Sequence, residues 1–76
     1  MNEVIIFGTS NCSYCDMAKK LCENFSIPFV YYDIATDTNA MNYLMDEIGV
    51  FKTVPQIFVD SEHVGGFSEL KEMLND

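Results

Sequence analysis

The sequence predicts a small α/β domain over residues 1–76, in which helices cover both faces of a mixed β-sheet. Short β-prone apolar runs alternate with segments of helical periodicity, and residues typical of turns and helix caps separate them. A chain of 76 residues leaves room for one domain, and a content of 49% hydrophobic residues suits a compact core. The predicted order is strand–helix–strand–helix–strand–strand–helix, which is a βαβ unit followed by a helix and a hairpin.

The spacing of apolar residues defines the first three elements. Val4–Phe7 is a continuous apolar run, as in a strand covered on both faces, and residues 8–11 form a polar turn. A helix of about 12 residues follows and ends before Ser26, because the nearby Pro28 disfavours helical backbone. Residues 29–34 form the second strand. The apolar positions predicted to face the core from the helix are Ala18, Leu21, Cys22 and Phe25.

Capping residues and turn residues define the remaining elements. The second helix begins at an N-cap within residues 36–38 and ends at Gly49. Gln56–Val59 is the third strand, residues 60–62 form a turn, and a short fourth strand follows. The last helix comes after Gly65-Gly66 and is capped by Ser68. The residues predicted to face the core from these two helices are Met41, Leu44, Met45, Ile48, Leu70, Met73 and Leu74.

The charge balance excludes several classes of partner. Twelve acidic and four basic residues give a formal net charge of −8, and such a surface repels nucleic-acid phosphates and anionic lipid. The sequence contains no basic segment followed by the apolar run of a signal peptide, and no stretch approaches the roughly 20 apolar residues of a membrane span. We therefore expect a cytoplasmic protein that binds neither nucleic acid nor membranes.

Cys12 and Cys15, in the segment Cys12-Ser13-Tyr14-Cys15, are the candidate catalytic residues. Cys12 falls where the loop after the first strand enters the helix, so the free N–H groups at the helix start point toward its sulfur. This position favours the thiolate and lowers the pKa of Cys12 below the value of about 8.5 for a free thiol. Cys15, one turn further along, can close a disulfide but is less exposed. Cys12 is therefore the predicted nucleophile, and Cys15 resolves the mixed disulfide.

Other roles for the cysteines fit the sequence less well. A zinc site would need Cys22 and His63 as its remaining ligands, but a cysteine pair between a strand and a helix is typical of redox proteins, so no metal site is predicted. A purely structural disulfide is disfavoured in a reducing compartment. Cys22 shares the apolar stripe of the helix and is predicted to lie in the core. His63 is predicted to lie on the hairpin surface without a role.

Three segments together resemble the glutaredoxin family, and the resemblance extends over nearly the whole chain. They are Cys12-Ser13-Tyr14-Cys15, Thr53-Val54-Pro55-Gln56-Ile57-Phe58 and Gly65-Gly66-Phe67-Ser68-Glu69-Leu70. The resemblance implies a thioredoxin fold with strand order 2-1-3-4, parallel first and second strands, and a cis bond between Val54 and Pro55. It also implies a monomeric dithiol enzyme that takes glutathione as its reductant. Its clients would be disulfide-bearing proteins, with ribonucleotide reductase as one candidate.

The resemblance also assigns a substrate groove beside the sulfur. Tyr14 matches the tyrosine of the family's motif, and would flank the sulfur and shape the groove. Thr53 and Val54 would contact the substrate, because a proline at position 55 ahead of a strand exposes the Val54 backbone for pairing with a peptide. Taken alone, Pro55 is an ordinary proline at the start of a strand.

Glutathione itself would bind through its two carboxylates. Gly66 would let the backbone of the substrate approach closely. The N–H groups of Phe67 and Ser68, together with the Ser68 hydroxyl, would hold the γ-glutamyl carboxylate at the start of the last helix. Lys52 matches a position that is often basic in the family and could pair with the glycyl carboxylate, although a lone surface lysine is usually just solvated.

Three positions depart from the family's pattern. Ser13 replaces the commoner proline of the motif, a change that in some relatives accompanies a [2Fe–2S] cluster shared by two subunits. Thr9 stands where many relatives carry a lysine near the nucleophile. The Gln or Arg that relatives carry on the second helix aligns with Asn42 or, allowing for a longer loop, with Met41. Two alternatives follow: a redoxin recharged by a thioredoxin reductase, and an iron–sulfur cluster carrier that uses Cys12.

Overall fold

The computed structural model describes residues 1–75. Four strands and three helices follow one another in the predicted order: β1 (Val4–Gly8), α1 (Ser13–Asn24), β2 (Phe29–Asp33), α2 (Thr38–Ile48), β3 (Gln56–Val59), β4 (Glu62–Gly65) and α3 (Phe67–Leu74). The strands form one sheet in the order β2-β1-β3-β4. The expected strand order is therefore confirmed.

The pairing of β1 with its neighbours decides where the loops meet. β1 is parallel to β2 and antiparallel to β3, which in turn is antiparallel to β4. Phe7, near the end of β1, lies opposite Gln56, the first residue of β3. Consequently the loop that follows β1 and the loop that precedes β3 lie at the same end of the strands, and α1 begins there.

Each face of the sheet has its own hydrophobic core. On one face, α1 and α3 pack on the sheet around Ile6, Cys22 and Leu70, which are fully buried. On the other face, α2 packs through Ala40 and Leu44 against buried aromatic residues of β1 and β3. The prediction of helices on both faces is confirmed. Within residues 1–75, no helix combines the length and the apolar character needed to span a lipid bilayer.

Three of the residues predicted to face the core do not. Phe25, Met45 and Met73 are each 44–46% exposed. Phe25 is the C-cap of α1 and no longer follows the helical register. In α2 the buried positions are Ala40 and Leu44, which are four residues apart, so the neighbouring row that holds Met45 faces outward.

The helix caps agree with the sequence in α2 and differ in α3. Asp37 is the N-cap of α2, with its carboxylate accepting a hydrogen bond from the Ala40 N–H at 3.0 Å, and Gly49 ends the helix with a φ of 77°. The prediction that Ser68 caps the last helix is wrong, because α3 begins two residues earlier than that cap requires and Gly66 is its N-cap. Gly8, predicted to lie in a turn, is the last residue of β1.

The β3–β4 hairpin turns at Asp60 and Ser61, which both adopt left-handed backbone conformations with φ values of 50° and 72°. The Asp60 carboxylate accepts hydrogen bonds from the N–H groups of Asn2 and Glu3, each at 2.9 Å. These two bonds lower the pKa of Asp60, the one from Glu3 having the larger effect. The hairpin tip thus holds the segment that leads into β1. This contact lies at the end of the strands opposite the start of α1.

Candidate active site

Cys12 is the N-cap of α1. Its backbone is extended (φ −142°, ψ 109°), and its sulfur accepts a hydrogen bond from the Cys15 N–H at 3.1 Å. Cys12 and Cys15 form a disulfide, with Cα atoms 5.2 Å apart. The N–H groups of the first helical turn have no acceptor inside the helix, and the positive end of the helix dipole lies here. The sulfur of Cys12 therefore lies where negative charge is stabilised.

The two sulfurs differ in access. Cys12 is partly exposed, whereas Cys15 is completely buried. An external thiol or disulfide can therefore reach the sulfur of Cys12 and not that of Cys15. Since thiol–disulfide exchange requires direct attack on a sulfur atom, the Cys12 sulfur is the accessible point of attack on this disulfide.

Gly8 makes room for the buried sulfur. A Cβ atom at this position would lie 2.6 Å from the Cys15 Sγ and would also collide with the hydroxyl of Tyr31. That hydroxyl donates a hydrogen bond to the Thr9 carbonyl at 2.6 Å, and burial, followed by the charges of Asp33 and Asp16, raises the pKa of Tyr31. The sequence analysis missed both residues. A glycine directly after an apolar run is the available signal, because glycine in a strand often marks a close approach.

A second loop faces the sulfur from the start of β3. The Val54–Pro55 peptide bond is cis, as the family resemblance implied. The Val54 carbonyl oxygen lies 3.8 Å from the Cys12 Sγ. Buried Gln56 holds this loop by donating a hydrogen bond to the Thr53 carbonyl at 2.8 Å, and its own side-chain oxygen lies 2.7 Å from the His63 Nε2. His63, to which the sequence analysis gave no role, thus supports the residue that holds the loop.

The start of α3 closes the third side of the site. The rings of Tyr14 and Phe67 lie 6.1 Å apart, which connects the first turn of α1 to the first turn of α3. The Glu69 carboxylate accepts a hydrogen bond from the Gly66 N–H at 2.7 Å. The sequence analysis missed this cap. The acidic residue three positions after the N-cap is the signal that would have revealed it.

These three segments enclose a groove of about 190 Å³, whose lining includes seven of the eight residues predicted to bind substrate. The residues that line it are Tyr14, Thr53, Val54, Pro55, Gly66, Phe67, Ser68 and Glu69. The exception is Lys52, which is exposed and lies just outside this set. The structure therefore brings together residues from three distant parts of the chain beside the reactive sulfur.

The third cysteine is kept away from this chemistry. Cys22 is fully buried among apolar residues of the core between α1 and the sheet. Burial, with a smaller contribution from the charge of Glu23, raises the pKa of its thiol. Within residues 1–75, no group of three or more His, Cys, Asp or Glu side chains is arranged to hold a metal ion. Cys22 is therefore a core residue, as predicted.

Comparison with known proteins assigns the family. A family model described as Glutaredoxin matches residues 4–64. The chain belongs to the glutaredoxin family. Glutaredoxin 1 of Escherichia coli (strain K12) is 38% identical over 73 residues, which cover 88% of this chain and 86% of that protein. Together with the Cys12–Cys15 pair, this makes the chain a thiol–disulfide oxidoreductase.

Solved glutaredoxin structures agree with the fold. The crystal structure of glutaredoxin 1 from Francisella tularensis, complexed with cacodylate, has a TM-score of 0.73 at 38% identity and covers 97% of this chain and 98% of that one. The buckwheat glutaredoxin–glutathione complex has a TM-score of 0.76 and covers 91% of this chain and 64% of that one. At 24% identity, the likeness to the buckwheat protein concerns the fold alone.

Proposed function

We propose that this glutaredoxin reduces protein disulfides and glutathione mixed disulfides, with glutathione as the electron donor. The position of the Cys12 sulfur carries the proposal. It is partly exposed, it caps α1, and it lies 3.8 Å from the Val54 carbonyl oxygen beside the groove described above. A sulfur in that position can ionise, can be reached, and is next to backbone that a peptide can pair with.

Reduction of a client takes two exchanges. The Cys12 thiolate attacks one sulfur of the client disulfide, which forms a mixed disulfide and releases the other client sulfur as a thiolate. Cys15 then loses its proton and attacks the Cys12 sulfur, which restores the Cys12–Cys15 disulfide and releases the second client thiolate. Two electrons pass to the client, and its two sulfurs take up two protons.

Two glutathione molecules return the enzyme to its reduced state. The first glutathione thiolate attacks the Cys12 sulfur, because the Cys15 sulfur is buried, and the Cys15 sulfur leaves and takes up a proton. The second attacks the glutathione sulfur of the mixed disulfide, which releases oxidised glutathione and regenerates the Cys12 thiolate. The burial of Cys15 thus directs the first glutathione to the Cys12 sulfur.

The groove suits a peptide carboxylate but carries little positive charge. The N–H groups of Phe67 and Ser68 have no acceptor within α3 and can hold a carboxylate. Glu69 already accepts the Gly66 N–H bond, so its own negative charge lies at the same helix start. The net charge of −8 also opposes an anionic tripeptide. We therefore expect a high KM for glutathione.

The proposal is tested by comparing two reductants on one substrate, the mixed disulfide of glutathione and cysteine. Glutathione with glutathione reductase should support turnover, whereas a flavin-linked thioredoxin reductase with NADPH should support little. Thr9→Lys, which places a cation near the nucleophile, should lower the KM for glutathione several-fold. Ser61→Lys makes the same charge change at the distant hairpin and is the matched control. Faster turnover with the thioredoxin reductase would contradict glutathione dependence.

The remaining assignments rest on the family resemblance. Ribonucleotide reductase stays one candidate client, and the iron–sulfur alternative rests on Ser13. Absorbance and iron content of protein purified without oxygen test that alternative directly. A bound [2Fe–2S] cluster would support the carrier, and colourless, iron-free, active protein would exclude it.

A further inference from the structure

A second depression lies beside the active-site groove, between α1 and α3. It measures about 720 Å³ and is lined by Tyr14 and Met17 of α1 and by Phe67, Ser68, Lys71 and Glu72 of α3. A further depression of about 280 Å³ continues from it past Lys20, Leu21 and Asn24. The two share Met17, Phe67 and Lys71, and together they are called here the α1–α3 groove.

The α1–α3 groove joins the groove that lies beside the Cys12 sulfur. Tyr14 and Phe67 line both this groove and the one beside Val54. From Tyr14 to Asn24, α1 rises by about 15 Å. About five residues of extended chain cover that length. A polypeptide whose cysteine meets Cys12 could therefore lay its next five residues along the α1–α3 groove.

Exposed apolar side chains form the floor of this groove. Tyr14 is 58% exposed and Met17 is 44% exposed, and Leu21 continues the same helical row. Methionine is flexible and adapts to different apolar partners. Burial of these apolar side chains by a bound polypeptide would therefore be favourable, and they lie next to the point where a client must bind.

The charge of the α1–α3 groove is opposite to that of the whole molecule. The chain has twelve acidic residues and four lysines, and two of these lysines, Lys20 and Lys71, line the groove. Among residues 1–75, Glu72 is the one carboxylate that lines it. Of the other lysines, Lys19 lies 3.4 Å from Asp16 and 4.3 Å from the centre of the Tyr31 ring. The groove is thus locally positive on a protein with a net charge of −8.

We propose that the α1–α3 groove binds the polypeptide segment of a client protein that adjoins the client's reactive cysteine, and that it selects segments combining an apolar side chain with carboxylates. The inference rests on the proposed reduction of disulfide-bearing proteins and adds which proteins are preferred. An acidic segment is repelled by most of the surface and attracted here, so its charge also orients the client toward Cys12.

The test uses two peptides, each joined to glutathione through a disulfide. In one, the five residues after the cysteine include a leucine and two glutamates; in the other, glutamine replaces each glutamate. Wild-type protein should reduce the acidic peptide with a kcat/KM about 3- to 10-fold higher, which is the range for two exposed charge pairs. The preference should shrink as salt is added. Equal kcat/KM values for the two peptides would overturn the proposal.

Variants assign the preference to the groove. Lys20→Gln/Lys71→Gln should abolish the preference while leaving turnover of the small glutathione–cysteine disulfide unchanged. Met45→Glu/Ser61→Asp lowers the net charge by the same two units at exposed positions away from the groove, and should keep most of the preference. A preference that survives the double lysine change would place the docking site elsewhere.

A binding measurement separates this proposal from the choice of reductant. The acidic peptide with serine in place of its cysteine is titrated into the reduced protein, and amide shifts are followed by NMR. Shifts along α1 and α3 that Lys20→Gln/Lys71→Gln removes would support the docking site even if glutathione failed as the reductant. Shifts confined to the groove beside Val54, or no shifts at all, would contradict it.

Discussion

The starts of α1 and α2 have the same capping geometry and different acceptors. In α2, the Asp37 carboxylate accepts the Ala40 N–H at 3.0 Å. In α1, the Cys12 sulfur accepts the Cys15 N–H at 3.1 Å. Both N-caps have extended backbone, and the donor comes three residues later in each case. A sulfur thus takes the position at one helix start that a carboxylate oxygen takes at the other.

The same few N–H groups at a helix start serve stability in α2 and reactivity in α1. A carboxyl group with the reference aspartate pKa of about 3.9 is ionised at neutral pH. A thiol ionises near neutral pH only where its surroundings favour the thiolate, and a helix start is such a place. The active site is therefore a helix cap whose acceptor can form and break covalent bonds.

Cys12→Ser should have the largest effect, and on activity alone. Serine is a good N-cap, so the start of α1 should be kept and the melting temperature should change little. The hydroxyl is a poor nucleophile at neutral pH, so turnover of a mixed disulfide should fall by a factor on the order of 10³ or more. Steady-state kinetics and thermal denaturation of the same samples measure the two effects. Wild-type turnover in Cys12→Ser would refute the assignment of the nucleophile.

Gly8→Ala should lower the stability of the protein by crowding the buried Cys15 sulfur at the start of α1. The added methyl would lie 2.6 Å from the Cys15 Sγ, so β1 or the first turn of α1 must move. Overpacking of this kind costs about 1–3 kcal/mol, which denaturant unfolding can measure. Gly66→Ala is the matched control, since its methyl would meet the Pro55 carbonyl oxygen at 3.4 Å and needs little adjustment. Equal stability losses in the two variants would contradict a special role for Gly8.

Asp37→Ala should lower stability and leave the chemistry intact. Loss of a carboxylate N-cap costs about 1 kcal/mol, and α2 lies on the sheet face away from α1 and α3. Unfolding free energy and kcat/KM are measured together, and Asp37→Ser should restore most of the stability. A parallel loss of activity would show that the two helix starts are coupled.

Asp60→Asn should have the smallest effect on stability. The N–H groups that its carboxylate accepts do not belong to a helix, so no helix dipole adds to the interaction. Its pKa is lowered in the folded state, so its contribution to stability is present above the unfolded pKa of about 3.9 and is lost as the pH falls through the folded pKa. The melting temperature of Asp60→Asn should therefore be slightly below that of the wild type at pH 7, and the difference should shrink as the pH falls through the folded pKa. Glu62→Gln removes the same charge from the hairpin and is the matched control. A difference in melting temperature that does not shrink on acidification would show that the effect is not due to the carboxylate charge.

The order of elements and the position of Cys12 were predictable because local signals carry them. These signals depend only on residues near them in sequence. The apolar run predicts β1, Asp37 predicts the start of α2, and Gly49 predicts its end. The outward positions of Phe25 and Met45 were not predictable. An amphipathic stripe tells which side of a helix is apolar, but not that α1 ends just before Phe25 or which row of α2 the sheet covers.

Much of the site depended on the family's motifs, and some of it on tertiary structure alone. The residues near positions 12, 54 and 67 are far apart in sequence, and only the family resemblance placed them in one groove before the structure did. The hydrogen bond between Gln56 and His63 depends on the β3–β4 register, which shifts between Ile57 and Phe58. No local pattern encodes that shift.

The hairpin between β3 and β4 offers a place to increase the thermal stability of the protein. Both of its central residues have positive φ, yet neither is glycine. Such hairpin turns favour glycine at the second central position, and the left-handed conformation costs an ordinary residue about 1 kcal/mol. Exchanging Ser61 for glycine would relieve that cost at the end of β3 away from the sulfurs, so an engineer could raise heat tolerance there without touching the chemistry.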